Sequence, residues 1–364
     1  MRRDMKEFIL VKPFCSDVAM TARIEKILAE VASSYTYDLV ETAEELENTC
    51  CQNRRILFAV TLGASGINLE YYKMLQRIRL DPGFFEGSVG GVIIDGEGEL
   101  FTKSIARDLV FSANLSGCTF PGSPLVEGTG TLRNFNIVAK NLDTDNYGAY
   151  MESGKNLIRN VMTFQKFHVE KPDFLTIHVG NSEKSNTYSL WSLIKEELEG
   201  FDIREISLRD GEIKDCRGCA YETCLHYGEE QKCFYGGVIT HEVYPAILKC
   251  DGLMMICANY NDAVSAYLTA FINRLTSIFR VHRFYEKRLY AAIVSGYSGS
   301  DIVARQLIGG LNMNKTFMLP PRFAMMETAN DPGALLLQEG IFERAEDFGR
   351  RIFAEFIACN GPGE

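Results

Sequence analysis

Short apolar runs alternate with amphipathic stretches along most of the chain. FILV (8–11), RILFAVT (55–61) and SVGGVIID (88–95) are β-rich, almost unbroken in apolarity and bounded by turn residues. FLTIHV (174–179), GLMMICA (252–258) and RLYAAIVSG (288–296) repeat the pattern further on. A strand that stays apolar on both faces is one covered from both sides, as in a parallel sheet flanked by helices. Helical periodicity occupies 18–32, 67–79, 100–115, 187–198, 265–280, 300–312 and 341–358. Strand alternating with helix predicts an α/β fold built on doubly wound parallel sheets.

The pattern occurs twice. LFAVTLGASGINLEYYKMLQRI (57–78) overlays MMICANYNDAVSAYLTAFINRL (254–275) without a gap, which places Arg77 on Arg274. GGVIIDGEGELFTKSIARDLV (90–110) overlays AAIVSGYSGSDIVARQLIGGL (291–311), and residues 8–21 overlay 174–187. Each copy then passes through a proline-containing segment, 120–130 or 318–329, before a last helix. Two flavodoxin-like domains in tandem are expected, 1–166 and 167–364, with the boundary in the polar stretch 145–172. The alternative is that any two doubly wound domains share this much. The second copy is the longer between its first and third strands, and its extra residues, about 211–240, hold a cysteine cluster.

Composition narrows the function. Of 364 residues, 46% are hydrophobic and 24% charged, a globular balance that excludes a disordered or fibrous chain. Lys and Arg number 38 against 48 Asp and Glu, a net charge of −10. A nucleic-acid binder would need a basic face, so none is expected as a partner. No apolar stretch is long enough for a membrane span, and Lys12 and Pro13 interrupt the first run, which reads as a strand and not as a signal peptide. The 11 cysteines are an odd number and cannot all pair within one chain. A reducing, cytoplasmic setting is expected, where clustered cysteines more often bind metal.

Cys216, Cys219, Cys224 and Cys233 follow a C-x2-C-x4-C-x8-C spacing. Four thiolates in so short a loop can close on one metal centre, with Gly218 and Gly228 permitting tight turns. Zinc accepts four thiolates, and so does a [4Fe–4S] cluster; the spacing does not separate them. Cys118, Cys250, Cys257 and Cys359 read as core or incidental residues, and His226 and His241 as surface or capping residues.

Gly180 to Thr187 (GNSEKSNT) follows a strand and opens a helix. Such a turn gathers backbone N–H groups at a helix N-terminus, where a phosphate binds. Ser182, Ser185 and Thr187 add hydroxyls and Asn186 an amide; the plainer alternative is a helix cap. It is neither a Walker A loop nor a GxGxxG fingerprint. Asn259, Tyr260, Asn261 and Asp262 follow the third strand of this copy, and Ser295, Gly296 and Tyr297 the fourth. Both loops sit where open α/β sheets bind ligands. Tyr260 would stack on a flat ring or be a surface aromatic.

GNSEKSNT, NYNDAVSAYLTAFINR and SGYSGS together resemble the flavodoxin-like NAD(P)H-dependent FMN reductases, and with the cysteines the iron–sulfur flavoproteins among them. The resemblance covers about 170–330. It implies FMN, with phosphate on Ser182, Lys184, Ser185, Asn186 and Thr187, and the ring near Asn259–Asp262 and Ser295–Tyr297. It favours a [4Fe–4S] cluster over zinc at the four cysteines. It also implies subunit pairing, which a duplicated chain would build internally as a monomeric pseudo-dimer; a homodimer is the other expectation.

The first copy lacks the phosphate-loop donors, puts Asp17 in their place, and concentrates Asp95, Glu97 and Glu99 in a later loop. No flavin is expected there. The function expected is an FMN-dependent oxidoreductase moving electrons between NAD(P)H or a carrier, FMN and a cluster, with a small molecule or protein as electron partner. No catalytic acid or base is nominated. The alternative is a flavin-free binding or scaffold protein with a structural zinc loop.

Overall fold

The strands predicted from apolar runs are the inner strands of two parallel sheets. The computed structural model describes residues 6–16, 18–31, 34–180, 185–210 and 213–357. The chain divides into two compact units, Met1–Gln165 and Lys166–Glu364. In the first, β1 (Phe8–Val11), β2 (Tyr37–Val40), β3 (Arg55–Thr61), β4 (Val89–Asp95) and β5 (Leu125–Gly128) form a sheet in the order β2-β1-β3-β4-β5. In the second, β6 (Asp173–His178), β7 (Asp202–Ser207), β8 (Gly252–Ala258), β9 (Arg288–Ser295) and β10 (Ala324–Thr328) form β7-β6-β8-β9-β10. Every pairing is parallel. Both units have the flavodoxin-like order, whose switch point lies between the first and third strands.

Burial follows this order. β8 is buried from Gly252 to Cys257 and β9 throughout, whereas β7 alternates between exposed and covered positions. In the second unit, Trp191 and Ile194 of the helix Asn186–Lys195 pack with Phe348, Ile352 and Phe356 of the helix Ile341–Phe356 over Phe174, Met254 and Tyr290. Each such side chain contributes roughly 1.5–3 kcal/mol through its removal from water.

Three helical readings change. The stretch 145–172 contains the helix Asn146–Thr163, capped by Asp145, whose carboxylate accepts from Gly148 N at 2.6 Å. The polar face of an amphipathic helix gave that segment its linker-like composition. Residues 265–280 form two helices, Ala266–Arg274 and Thr276–Phe279. The helix Ser300–Leu307 continues as a wider π turn through Ile308–Met313, which includes Gly309 and Gly310.

Candidate cofactor site

A crevice opens at the carboxyl ends of β6, β8 and β9. It consists of two cavities, of about 660 and 510 Å³, both lined by Ser185, Thr187 and Ala258. His178, Tyr188, Arg209, Tyr260 and Tyr267 line the larger one. Asn259, Asn261, Asp262, Gly296, Tyr297 and Asn330 line the smaller. The crevice lies over the switch point between β6 and β8, where open α/β sheets take ligands. Arg209 and Asn330 escape a reading of apolar runs because they follow β7 and β10, the two edge strands. His178 sits at the end of β6, with Nδ1 against the Gly180 carbonyl.

The loop after β8 is a hairpin turn. Asn261 and Asp262 both adopt positive φ, 52° and 57°. Tyr260 and Ala263 exchange backbone hydrogen bonds of 3.2 and 3.1 Å across them. This is the type I′ arrangement, and Asn and Asp are among the residues that tolerate it. Gln306 holds the turn from the helix below: its Oε1 accepts from Val264 N at 2.8 Å and its Nε2 donates to Asp262 O at 3.1 Å. Asn259 Nδ2 donates to Ser298 O at 2.9 Å and so ties the β8 loop to the β9 loop. Its Oδ1 is buried with no hydrogen-bond partner among the described residues. An orphaned acceptor in a cavity wall fits a ligand that brings an N–H. Tyr260 and Tyr297 are exposed at the mouth.

In the loop after β6, Ser182 and Lys184 lie outside the described residues. Ser185 occupies the N-cap position of the helix Asn186–Lys195 without a side-chain capping bond, and its Oγ lies 2.8 Å from Thr187 Oγ1. Two hydroxyls at a helix N-terminus fit an anionic ligand. Asn186 is placed differently from the expectation of a free amide donor. Its Nδ2 donates to Ala329 O at 3.2 Å and Asp331 O at 2.8 Å, and its Oδ1 accepts from Leu335 N at 3.3 Å. The side chain therefore fastens the first turn of the helix to the loop after β10. Ser295 is buried and its Oγ is 2.7 Å from Ser300 Oγ, so the next residue, Gly296, carries the cavity wall.

Charge near the larger cavity is compensated locally. Burial pushes the Glu205 carboxyl up, but hydrogen bonds led by Lys195, at 2.6 Å, outweigh it and hold the group below its usual range. Tyr188 donates to Glu205 at 3.1 Å, and burial together with that carboxylate raises the phenol.

The four cysteines line one small cavity with Tyr227, Phe234 and Arg274. All four are free thiols. The cavity measures about 20 Å³, room for a single water. Among the described residues no group of three or more His, Cys, Asp and Glu side chains is placed to hold a metal ion. The four-coordinate centre expected from the spacing is thus not assembled here: the thiols share a cavity, but the gap among them is too small for a cluster. Cys250 and Cys257 are core thiols, pushed up to about 12 by burial. His226 is an exposed residue 3.7 Å from Glu230.

In the first unit, Asp95 is not the free loop carboxylate that its sequence position suggested. It is fully buried, paired with Arg23, and accepts from Tyr150 OH at 3.0 Å. Arg23 also donates to Thr129 O at 3.0 Å. Burial outweighs the guanidinium and pushes the Asp95 carboxyl up to about 6. Asp17 lies outside the described residues.

Residues 172–331, from β6 through β10, match the family model for NADPH-dependent FMN reductase. A comparison with curated proteins gives no match. Among solved structures, the chain is similar to the NAD(P)H:quinone oxidoreductase from Methanothermobacter marburgensis, at 13% identity over 50% of this chain and 98% of that one, with a TM-score of 0.39. It is similar to an azoreductase from Bacillus anthracis str. Sterne at 12% identity, 50% and 99% coverage and a TM-score of 0.35. The Trp repressor binding protein from Bacillus subtilis gives 19% identity, 48% and 96% coverage and a TM-score of 0.33. Among the described residues no helix is long and apolar enough to cross a membrane.

Proposed function

We propose that the second unit is an NAD(P)H-dependent FMN oxidoreductase. The observation that carries this reading is a coincidence of place: the family match at 172–331 spans the strands and loops that form the crevice. FMN, when bound, supplies a ring that takes a hydride from a nicotinamide and releases electrons singly or in pairs.

The chain's own part is binding and orientation. Ser185 and Thr187 hydroxyls, with the first N–H groups of the helix, would hold the phosphate, joined by Gly180, Ser182 and Lys184. Asn259 Oδ1 would accept from a ring N–H, and the Tyr260–Ala263 turn would form a shelf under the ring. Gly296 keeps the β9 loop low; a Cβ there would lie 2.9 Å from Asn330 Oδ1. The larger cavity leaves space for a nicotinamide or a planar acceptor, with Tyr260 and Tyr267 as apolar walls. No protein acid or base is needed for hydride transfer, and the residues assigned here are binding residues. Titrating FMN into the flavin-stripped full chain tests the reading: equimolar binding supports it, and no binding removes it.

The four cysteines are left without a proposed metal, because the described thiols share a cavity of only about 20 Å³ and no three of them are placed to hold an ion. The first unit is read as a cofactor-free copy of the same plan, supported by its identical strand order.

A further inference from the structure

The larger cavity carries one uncompensated charge. Arg209 belongs to the short turn Leu208–Asp210 that follows β7, and its backbone N–H donates to Ser207 Oγ at 3.3 Å. Among the described residues that line the cavity, it is the only one with a permanent charge, and none is Asp or Glu. Among the described residues its guanidinium has no hydrogen bond or ion pair. The other cation nearby, Lys195, is taken by Glu205 at 2.6 Å. The smaller cavity has the opposite character: among the described residues Asp262 lines it, and no Lys or Arg does. The rest of the larger cavity is apolar and aromatic. Ile256 and Leu268 are buried side chains of its wall, while Tyr260 and Tyr267 line it with 60% and 43% exposure.

A guanidinium keeps its charge and donates two parallel hydrogen bonds to an oxyanion. The whole chain carries a net charge of −10, so an anion is repelled except where acid is locally absent and a cation is present. A flat ring gains from burial against tyrosine and aliphatic side chains. We propose that the larger cavity takes a planar aromatic acid, a ring bearing a carboxylate or sulfonate, as the second substrate of the flavin, and that Arg209 selects for its charge. The proposal rests on the flavin reading of the crevice. The nicotinamide and the acid occupy the cavity in turn. NAD(P)H gives up a hydride and leaves as NAD(P)+; that hydride equivalent and one solvent proton end on the acid, which leaves reduced by two electrons.

Calorimetric titration of the FMN-loaded full chain with naphthalene-2-sulfonate, and with naphthalene-2-methanol, which lacks the charge, tests this without turnover. Wild-type protein should bind the sulfonate about tenfold more tightly than the alcohol, the scale of a charge-assisted pair. The difference should shrink with added salt. Arg209→Gln should bind the two alike, and Arg209→Lys should keep part of the preference. Equal affinities in wild type, no binding of either probe, or a preference that survives in Arg209→Gln overturns the proposal. Arg209→Gln that loses affinity for FMN but not for riboflavin assigns the guanidinium to the flavin phosphate and overturns it too. So does a variant that loses affinity for adenosine 2′,5′-bisphosphate but not for the sulfonate, which assigns Arg209 to the nucleotide. Protein that takes up no FMN removes the flavin reading, and the same titration of the flavin-free chain then decides whether Arg209 selects an aromatic acid.

Discussion

Gly299 and Asn259 approach so closely that a Cβ on the glycine would lie 2.7 Å from Asn259 Nδ2, and it would also overlap Asp262 Oδ1. The glycine has a φ of 94°, a left-handed conformation that L side chains rarely adopt. The β9 loop can therefore close onto the β8 turn only with glycine here. Gly299→Ala should push the loops apart and lower FMN affinity by about tenfold, with a stability loss of roughly 1 kcal/mol. Flavin fluorescence titration and a denaturant midpoint measure the two effects; unchanged affinity would show that the loops do not hold the ring.

Ser185 and Thr187 are the hydroxyls proposed to hold the phosphate among the described residues. Each hydrogen bond to a charged group contributes roughly 1.5–3 kcal/mol. The double substitution Ser185→Ala, Thr187→Ala should weaken FMN much more than riboflavin, which has no phosphate. Equal losses for both ligands would place the hydroxyls elsewhere than at the phosphate.

Asn186 joins the helix start to the loop after β10 through three hydrogen bonds. Asn186→Leu leaves the Leu335 N–H and two carbonyls without that partner, at about 1 kcal/mol for each bond. The expected result is a folded protein with a lower unfolding midpoint. A variant as stable as wild type would mean that the tether contributes nothing.

Asp95 gives the first unit a pH dependence. Its folded-state pKa of about 6 stands above the ordinary 3.8, so the folded state binds the proton more tightly. That stabilisation is complete below about pH 4 and is lost as pH rises through 6. Wild-type stability should fall across this window relative to Asp95→Asn, in which the group does not titrate. Parallel denaturation profiles for the two proteins from pH 4 to 7 would contradict the assignment.

Much of this was legible from apolar runs. The six inner strands and most helices announce themselves because a strand covered on both faces must be apolar on both. β2, β5, β7 and β10 are the edge strands, with partly exposed positions, so no unbroken apolar run marks them. The candidate site was legible as three loops, because the donor types and their place after strands are local facts. The partners of those donors are not local. Asn186 is taken by residues about 145 positions away, and Asp95 by Arg23, 72 positions away. A loop rich in polar side chains does not reveal which of them the fold itself consumes. The cysteine spacing predicted closure on one metal centre, whereas the described thiols meet only around a gap of about 20 Å³ and hold no ion-binding arrangement.

Anaerobic addition of NADPH or NADH to the FMN-loaded full chain tests the central claim most directly. Bleaching of the flavin's visible band at the rate of a bound, catalysed step, much faster than for free FMN under the same conditions, is the predicted result. Protein that binds FMN yet leaves it oxidised with both nucleotides, or that binds none, would contradict an NAD(P)H-dependent flavin reductase.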